Sequence, residues 1–181
     1  MRTLVLGGIR SGKSRWAESV IAESRTGCDT VTYIATAAPA APDPAWQQRI
    51  AEHRLRRLPW WRTVETSDVA TQLRSAPQAP ALVDDLGNWL TAMLDRRGWE
   101  GGSIDDDVAD LVDAVRDYAA PLVVVSPEVG LTVVPATAAG RRFADELGTL
   151  NQRLAGCCER VVLVVAGQPL WMKPAAAKES C

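Results

Sequence analysis

Short apolar runs alternate along this chain with longer segments of helical spacing. Residues 3–6 (TLVL), 30–34 (TVTYI), 81–84 (ALVD), 122–126 (LVVVS) and 160–166 (RVVLVVA) are rich in β-branched and aliphatic residues. Runs of this kind, apolar throughout, predict strands buried on both faces. Residues 62–66 predict a further short strand. Between the strands, helices are expected over 13–24, with Trp16, Val20 and Ile21 inward, and over 68–74, 88–96, 105–118 and 138–157. Another helix is expected over 44–58, opened by a proline in its first turn. It would place Trp46, Ile50 and Leu58 on one side and Arg49, His53, Arg56 and Arg57 on another. Residues 35–44, 98–103 and 130–135 are loops, and Pro77 and Pro80 interrupt the chain. Strands alternating with helices predict an α/β fold, a mostly parallel sheet covered on both faces. One catalytic domain over residues 1–174 is expected, with a flexible tail over 175–181.

Composition narrows the class. Hydrophobic residues make up 47% and charged residues 23% of the 181, the balance of a soluble globular protein. A net charge of −2 argues against nucleic acid held on a basic face. Cys28, Cys157, Cys158 and Cys181 form no CxxC pair and have no zinc spacing, so free thiols are expected. The apolar run after Met1-Arg2 is too short for a secretory leader or a membrane span, which predicts a cytoplasmic protein. Lysine occurs only at Lys13, Lys173 and Lys178, and every other one of the 20 basic residues is arginine. A chain that uses arginine almost everywhere keeps lysine at position 13.

Position 13 lies in the strongest motif. Gly7-Gly8-Ile9-Arg10-Ser11-Gly12-Lys13-Ser14 fits G-x-x-x-x-G-K-[ST] between a predicted strand and a predicted helix. The glycines let backbone N–H groups curl around phosphate oxygens, Lys13 reaches the β- and γ-phosphates, and Ser14 offers its hydroxyl to Mg²⁺. The start of the helix turns its positive end to the anion. A metal site of this type needs a carboxylate at the end of a neighbouring buried strand. ALVDD supplies Asp84 and Asp85. Alternation sends one toward the cleft and one away, and Asp84 is the expected metal residue.

His53 is the only histidine and sits among Arg49, Arg54, Arg56 and Arg57. Nearby cations disfavour imidazolium. A neutral imidazole is a nucleophile for phosphorus, and the guanidiniums can hold a triphosphate. A solvated basic helix face with an incidental histidine has the same spacing.

Several separated blocks, in order, resemble one family. They are LGGIRSGKSRWAE, YIATA (33–37), RIAEHRLRR followed by WRTVE (49–65), EVG with VP (128–135) and RRFADELGTLNQRLA (141–155). Together they span residue 4 to about 173 and resemble the bifunctional adenosylcobinamide kinase / adenosylcobinamide-phosphate guanylyltransferase family of cobalamin biosynthesis. The resemblance implies a RecA-like P-loop NTPase fold, usually assembled as a homotrimer. It implies phosphorylation of the aminopropanol hydroxyl of adenosylcobinamide by ATP or GTP. GMP is then transferred from GTP to the resulting phosphate. The guanylyl group would rest on His53, with Lys13 as the other catalytic residue. Nucleotide contacts would come from the Gly7–Ser14 loop, Thr36, Ala37, Ala38, Arg54, Arg56, Arg57, Glu65 and Asp84, with Mg²⁺ on Ser14 and Asp84. Two places depart from the family pattern. Asp84-Asp85-Leu86-Gly87 stands where D-C-L-T is frequent, and Ser126-Pro127-Glu128 stands where S/T-N-E is usual. A different small P-loop metabolite kinase would use Lys13 and Asp84 without a covalent histidine. A non-catalytic nucleotide switch would bind nucleotide without turnover. A RecA-like DNA-associated ATPase is disfavoured by the net charge and by the lack of clustered aromatic and basic residues.

Overall fold

The computed structural model describes residues 1–24, 30–36 and 60–173. Seven strands form one sheet in the order β3-β2-β4-β5-β1-β6-β7. They are β1 (Arg2–Gly7), β2 (Val31–Ala35), β3 (Trp61–Glu65), β4 (Ala81–Asp84), β5 (Leu122–Pro127), β6 (Arg160–Val165) and β7 (Gln168–Lys173). Every pairing is parallel except β6 with β7. The described helices are α1 (Lys13–Glu23), α2 (Val69–Ser75), α3 (Leu86–Arg97), α4 (Asp105–Arg116) and α5 (Ala138–Cys157). The mostly parallel α/β architecture expected from the alternating pattern is thus present. The helix expected over 44–58 and the tail after Lys173 lie outside the described residues.

Strand alternation divides the core in two. Val5, Tyr33, Leu82, Val123, Val125, Val162 and Val164 form one cluster with Ala17 and Ile21 of α1. On the opposite face Leu4, Ile34, Val83, Leu122, Val124 and Val161 pack with the apolar stripes of α2 to α5. Fully burying one such aliphatic side chain contributes roughly 1.5–3 kcal/mol. In α1 the buried residues are Ala17 and Ile21, while Trp16 and Val20 pack at the cluster's edge.

Side-chain caps set the starts of three helices. Asp85 accepts from the Asn88 N–H at 3.0 Å, so α3 starts at Leu86, two residues before the expected start. Asp68 caps α2 through the Thr71 N–H, and Thr137 caps α5 through the Gly140 N–H. The larger difference is β7. The sequence pattern predicts a loose tail only after Lys173 and assigns no element to 168–173. These residues form an antiparallel edge strand instead. The reversal rests on Ala166 and Gly167, both with positive φ (50° and 76°), the geometry of a two-residue hairpin turn. No described helix is long and apolar enough to cross a membrane.

Candidate nucleotide site

The parallel strands all point their carboxyl ends to one edge, where open α/β sheets bind ligands. Gly7, Thr36, Glu65, Asp84 and Glu128 lie at or next to these ends. The Gly7–Ser14 segment joins β1 to α1 as a compact loop. The Ser11 N–H donates to the Gly8 carbonyl, and the Trp16 N–H donates to the Gly12 carbonyl at 3.0 Å. Gly12 has φ 91°, and a Cβ there would meet the Gly167 Cα at 3.1 Å. The positive φ favours glycine at position 12, and a side chain there would also crowd the Gly167 backbone. The β6–β7 turn therefore buttresses the loop, and the Gly167 N–H also donates to the Ser11 carbonyl at 2.8 Å. A Cβ on Gly7 would come within 2.4 Å of Ser11 Oγ. Gly12 has no side chain to cap α1, and the Lys13 N–H donates to Ser11 Oγ at 3.3 Å. A helix start following a glycine-rich turn is a site for a phosphate anion.

Behind the loop, Ser14 Oγ donates to Asp84 Oδ1 at 3.2 Å. The Tyr33 hydroxyl donates to Asp84 Oδ2 at 2.6 Å. Asp85 turns the other way and caps α3. Burial raises the Asp85 carboxyl pKa most, the Asp84 charge raises it further, and the Asn88 N–H and the Lys13 ammonium oppose this. No group of three potential metal-ligating carboxylates, thiols or imidazoles occurs among the described residues. Mg²⁺ needs none here, because it is commonly bound by one or two carboxylates with waters and substrate phosphates. A serine hydroxyl and a carboxylate oxygen 3.2 Å apart, next to the phosphate loop, are hard oxygen donors of the kind that ion takes.

The remaining expected residues fall into three groups. Thr36 is fully buried, its N–H donates to the Asp84 carbonyl at 3.1 Å, and its hydroxyl donates to the Asp85 carbonyl. Glu65 ends β3 on the same edge, in register with Ala35 and exposed. Ala37, Ala38, His53, Arg54, Arg56 and Arg57 lie outside the described residues. Arg141, Arg142 and Asn151, all in family-like blocks, support loops. Arg141 donates to the carbonyls of Pro135 and Ala136, and Arg142 to those of Gly98 and Gly102. Buried Asn151 accepts from Ser126 Oγ at 2.6 Å and donates to the Pro127 carbonyl at 3.1 Å. It thereby fixes the end of β5, where the Glu128 N–H donates to the Gly7 carbonyl.

Two features at this edge were not expected. Tyr33 contacts Asp84 because β2 pairs with β4, a register that local pattern does not contain. A tyrosine in a buried strand was the available signal, since a buried phenol usually finds a partner. Gly87 touches Pro127. A Cβ on Gly87 would approach Pro127 Cγ to 2.8 Å. Two of the positions that depart from the resemblance pattern, Gly87 and Pro127, thus lie side by side, and the proline ring occupies the space that a side chain at 87 would need. Gly87→Thr is expected to destabilise the fold by about 1–3 kcal/mol through overpacking. Pro127→Asn in the same chain is expected to relieve most of that loss. Chemical denaturation of both single variants and the double variant measures the coupling, and additive effects would contradict it.

Sequence comparisons with known proteins agree on a family. The sequence profile of the family described as "Cobinamide kinase / cobinamide phosphate guanyltransferase" matches residues 3–172. The bifunctional adenosylcobalamin biosynthesis protein CobP of Pseudomonas aeruginosa is 44% identical over 176 residues, 96% of this chain and 98% of that protein. The bifunctional adenosylcobalamin biosynthesis protein CobU of Salmonella typhimurium is 35% identical over 92% of this chain and 97% of its own. Among solved structures, the P4 protein from bacteriophage phi6 in complex with ADP aligns at a TM-score of 0.49 and 14% identity. The alignment covers 93% of this chain and 53% of that one, so this chain spans about half its length.

Proposed function

The chain belongs to the cobinamide kinase / cobinamide phosphate guanyltransferase family, and on that premise we propose that it catalyses both reactions in cobalamin biosynthesis. In the first, the aminopropanol hydroxyl oxygen of adenosylcobinamide attacks the γ-phosphorus of ATP or GTP. The bond to the β–γ bridging oxygen breaks, the nucleoside diphosphate leaves, and the hydroxyl proton passes to solvent. In the second, a ring nitrogen of His53 attacks the α-phosphorus of GTP and pyrophosphate leaves. An oxygen of cobinamide phosphate then attacks the same phosphorus and the N–P bond breaks. This releases His53 and yields adenosyl-GDP-cobinamide.

The observation that carries this reading is the family match over residues 3–172, and the Ser14–Asp84 contact behind a glycine loop that opens α1 supports its nucleotide site. Backbone N–H groups of Gly7–Ser14 would hold the phosphates, and Lys13 would offset charge on the transferring group. Ser14 and Asp84 would hold Mg²⁺, which supplies Lewis acidity at the phosphate oxygens. Glu65, on the same sheet edge, would contact GTP, as would Thr36, Ala37 and Ala38. Arg54, Arg56 and Arg57 flank His53 in sequence and would steady a triphosphate. A cytoplasmic homotrimer completes the reading, from the family resemblance.

Mass spectrometry of adenosylcobinamide incubated with the protein, Mg²⁺ and GTP tests it. The expected sequence is cobinamide phosphate first, then GDP-cobinamide with one equivalent of pyrophosphate. GTP bound but no corrinoid modified would favour the nucleotide switch. Corrinoid phosphorylated but never guanylylated would leave a P-loop kinase.

A further inference from the structure

Tyr33 stands at the nucleotide edge without a part in either chemical step above. In β2, Ala35 pairs with Asp84 and Tyr33 with Leu82. Residues two apart on a strand share a face, so Tyr33 and Asp84 both project to the side covered by α1. The Tyr33 side chain is buried in the α1-side core cluster, and its ring lies 5.8 Å from that of Trp61. From that fixed position its hydroxyl meets Asp84 Oδ2 at 2.6 Å, while Oδ1 faces Ser14 at 3.2 Å.

We propose that Tyr33 is the positioning residue that aims the Asp84 carboxylate at Mg²⁺, anchoring Oδ2 and leaving Oδ1 to the cation. The proposal rests on the assignment of Asp84 to the metal. A carboxylate turns on a terminal torsion with a broad, roughly two-fold profile, so one hydrogen bond on a defined oxygen selects its orientation. Donation to an ionised oxygen is about twice as strong as a neutral hydrogen bond. The Ser14 contact is conditional, because a Ser14 oxygen that ligates a cation must turn its proton elsewhere. The Tyr33 contact lies on the other carboxylate oxygen and does not compete with the cation. Its donor sits on a ring that packing holds in place.

Tyr33→Phe removes the hydroxyl and keeps the ring. The test is the affinity for GTP across a Mg²⁺ titration and in excess EDTA, with Mn²⁺ binding to the protein–GTP complex followed by electron paramagnetic resonance. Asp84→Asn is measured beside it, and thermal melting confirms that both variants fold. Loss of a group that orients a metal ligand costs about 10- to 100-fold in metal affinity. The expected result for Tyr33→Phe is a rise of at least about tenfold in the metal concentration at half-saturation. GTP affinity in EDTA should stay at the wild-type value. Equal weakening of GTP with and without metal would make Tyr33 a packing residue and overturn the proposal. A metal shift in Asp84→Asn with none in Tyr33→Phe would overturn the anchor alone. No shift in either variant would overturn the metal assignment of Asp84 and the anchor with it.

Discussion

Lys13→Ala is expected to lower both cobinamide phosphorylation and guanylyl transfer by about 100- to 1000-fold, or about 2.7–4 kcal/mol of transition-state stabilisation. Lys13 is the first residue of α1 and the only lysine before Lys173. In the proposed function both reactions begin from a nucleoside triphosphate in the same cradle, so both should suffer. Nucleotide binding should fall less than turnover. The backbone N–H groups of the loop and the positive start of α1 remain, and they favour the bound anion in ground and transition states alike. Lys13→Arg should not rescue, because a planar fork cannot replace a compact ammonium between phosphate oxygens. Steady-state kinetics on each half-reaction check this. A loss below about tenfold in both halves would remove Lys13 from the chemistry.

His53→Ala should separate the two halves. Guanylyl transfer is expected to fall by on the order of 10⁴-fold or more, the scale of losing a covalent nucleophile. Phosphorylation with ATP should persist, because it passes through Lys13 and the phosphate loop. Cobinamide phosphate should therefore accumulate with the variant, whereas the wild type carries it on to GDP-cobinamide. Equal loss of both activities would point to a structural role for His53 and against a guanylyl carrier.

The phosphate loop was legible in the sequence because all its determinants are local. Spacing of Gly7, Gly12, Lys13 and Ser14, a preceding apolar run and a following helical pattern together specify strand, turn and helix. The split between Asp84 and Asp85 was also within reach, since alternation alone sends one to each face. Contacts made across the sheet were not. Tyr33 meets Asp84 and Gly87 meets Pro127 only through pairing order and helix placement, which no window of sequence contains. Strand β7 was missed for a different reason. Pro169 argues against a strand in sequence, and an exposed edge strand tolerates it. The Ala-Gly pair between two apolar runs was the hairpin signal. His53 is a separate case: its neighbours are compatible with a nucleophile or with a solvated basic face, and the family blocks on either side favour the first.

In the proposed two-step enzyme the second reaction passes through a guanylyl group on His53. Incubation with GTP labelled at the α-phosphate, without corrinoid, isolates that intermediate. The expected result is a protein-bound label that is lost in acid, stable in base, and absent from His53→Ala, as a phosphoramidate on that ring requires. GTP bound to a folded wild-type protein with no covalent label would contradict it.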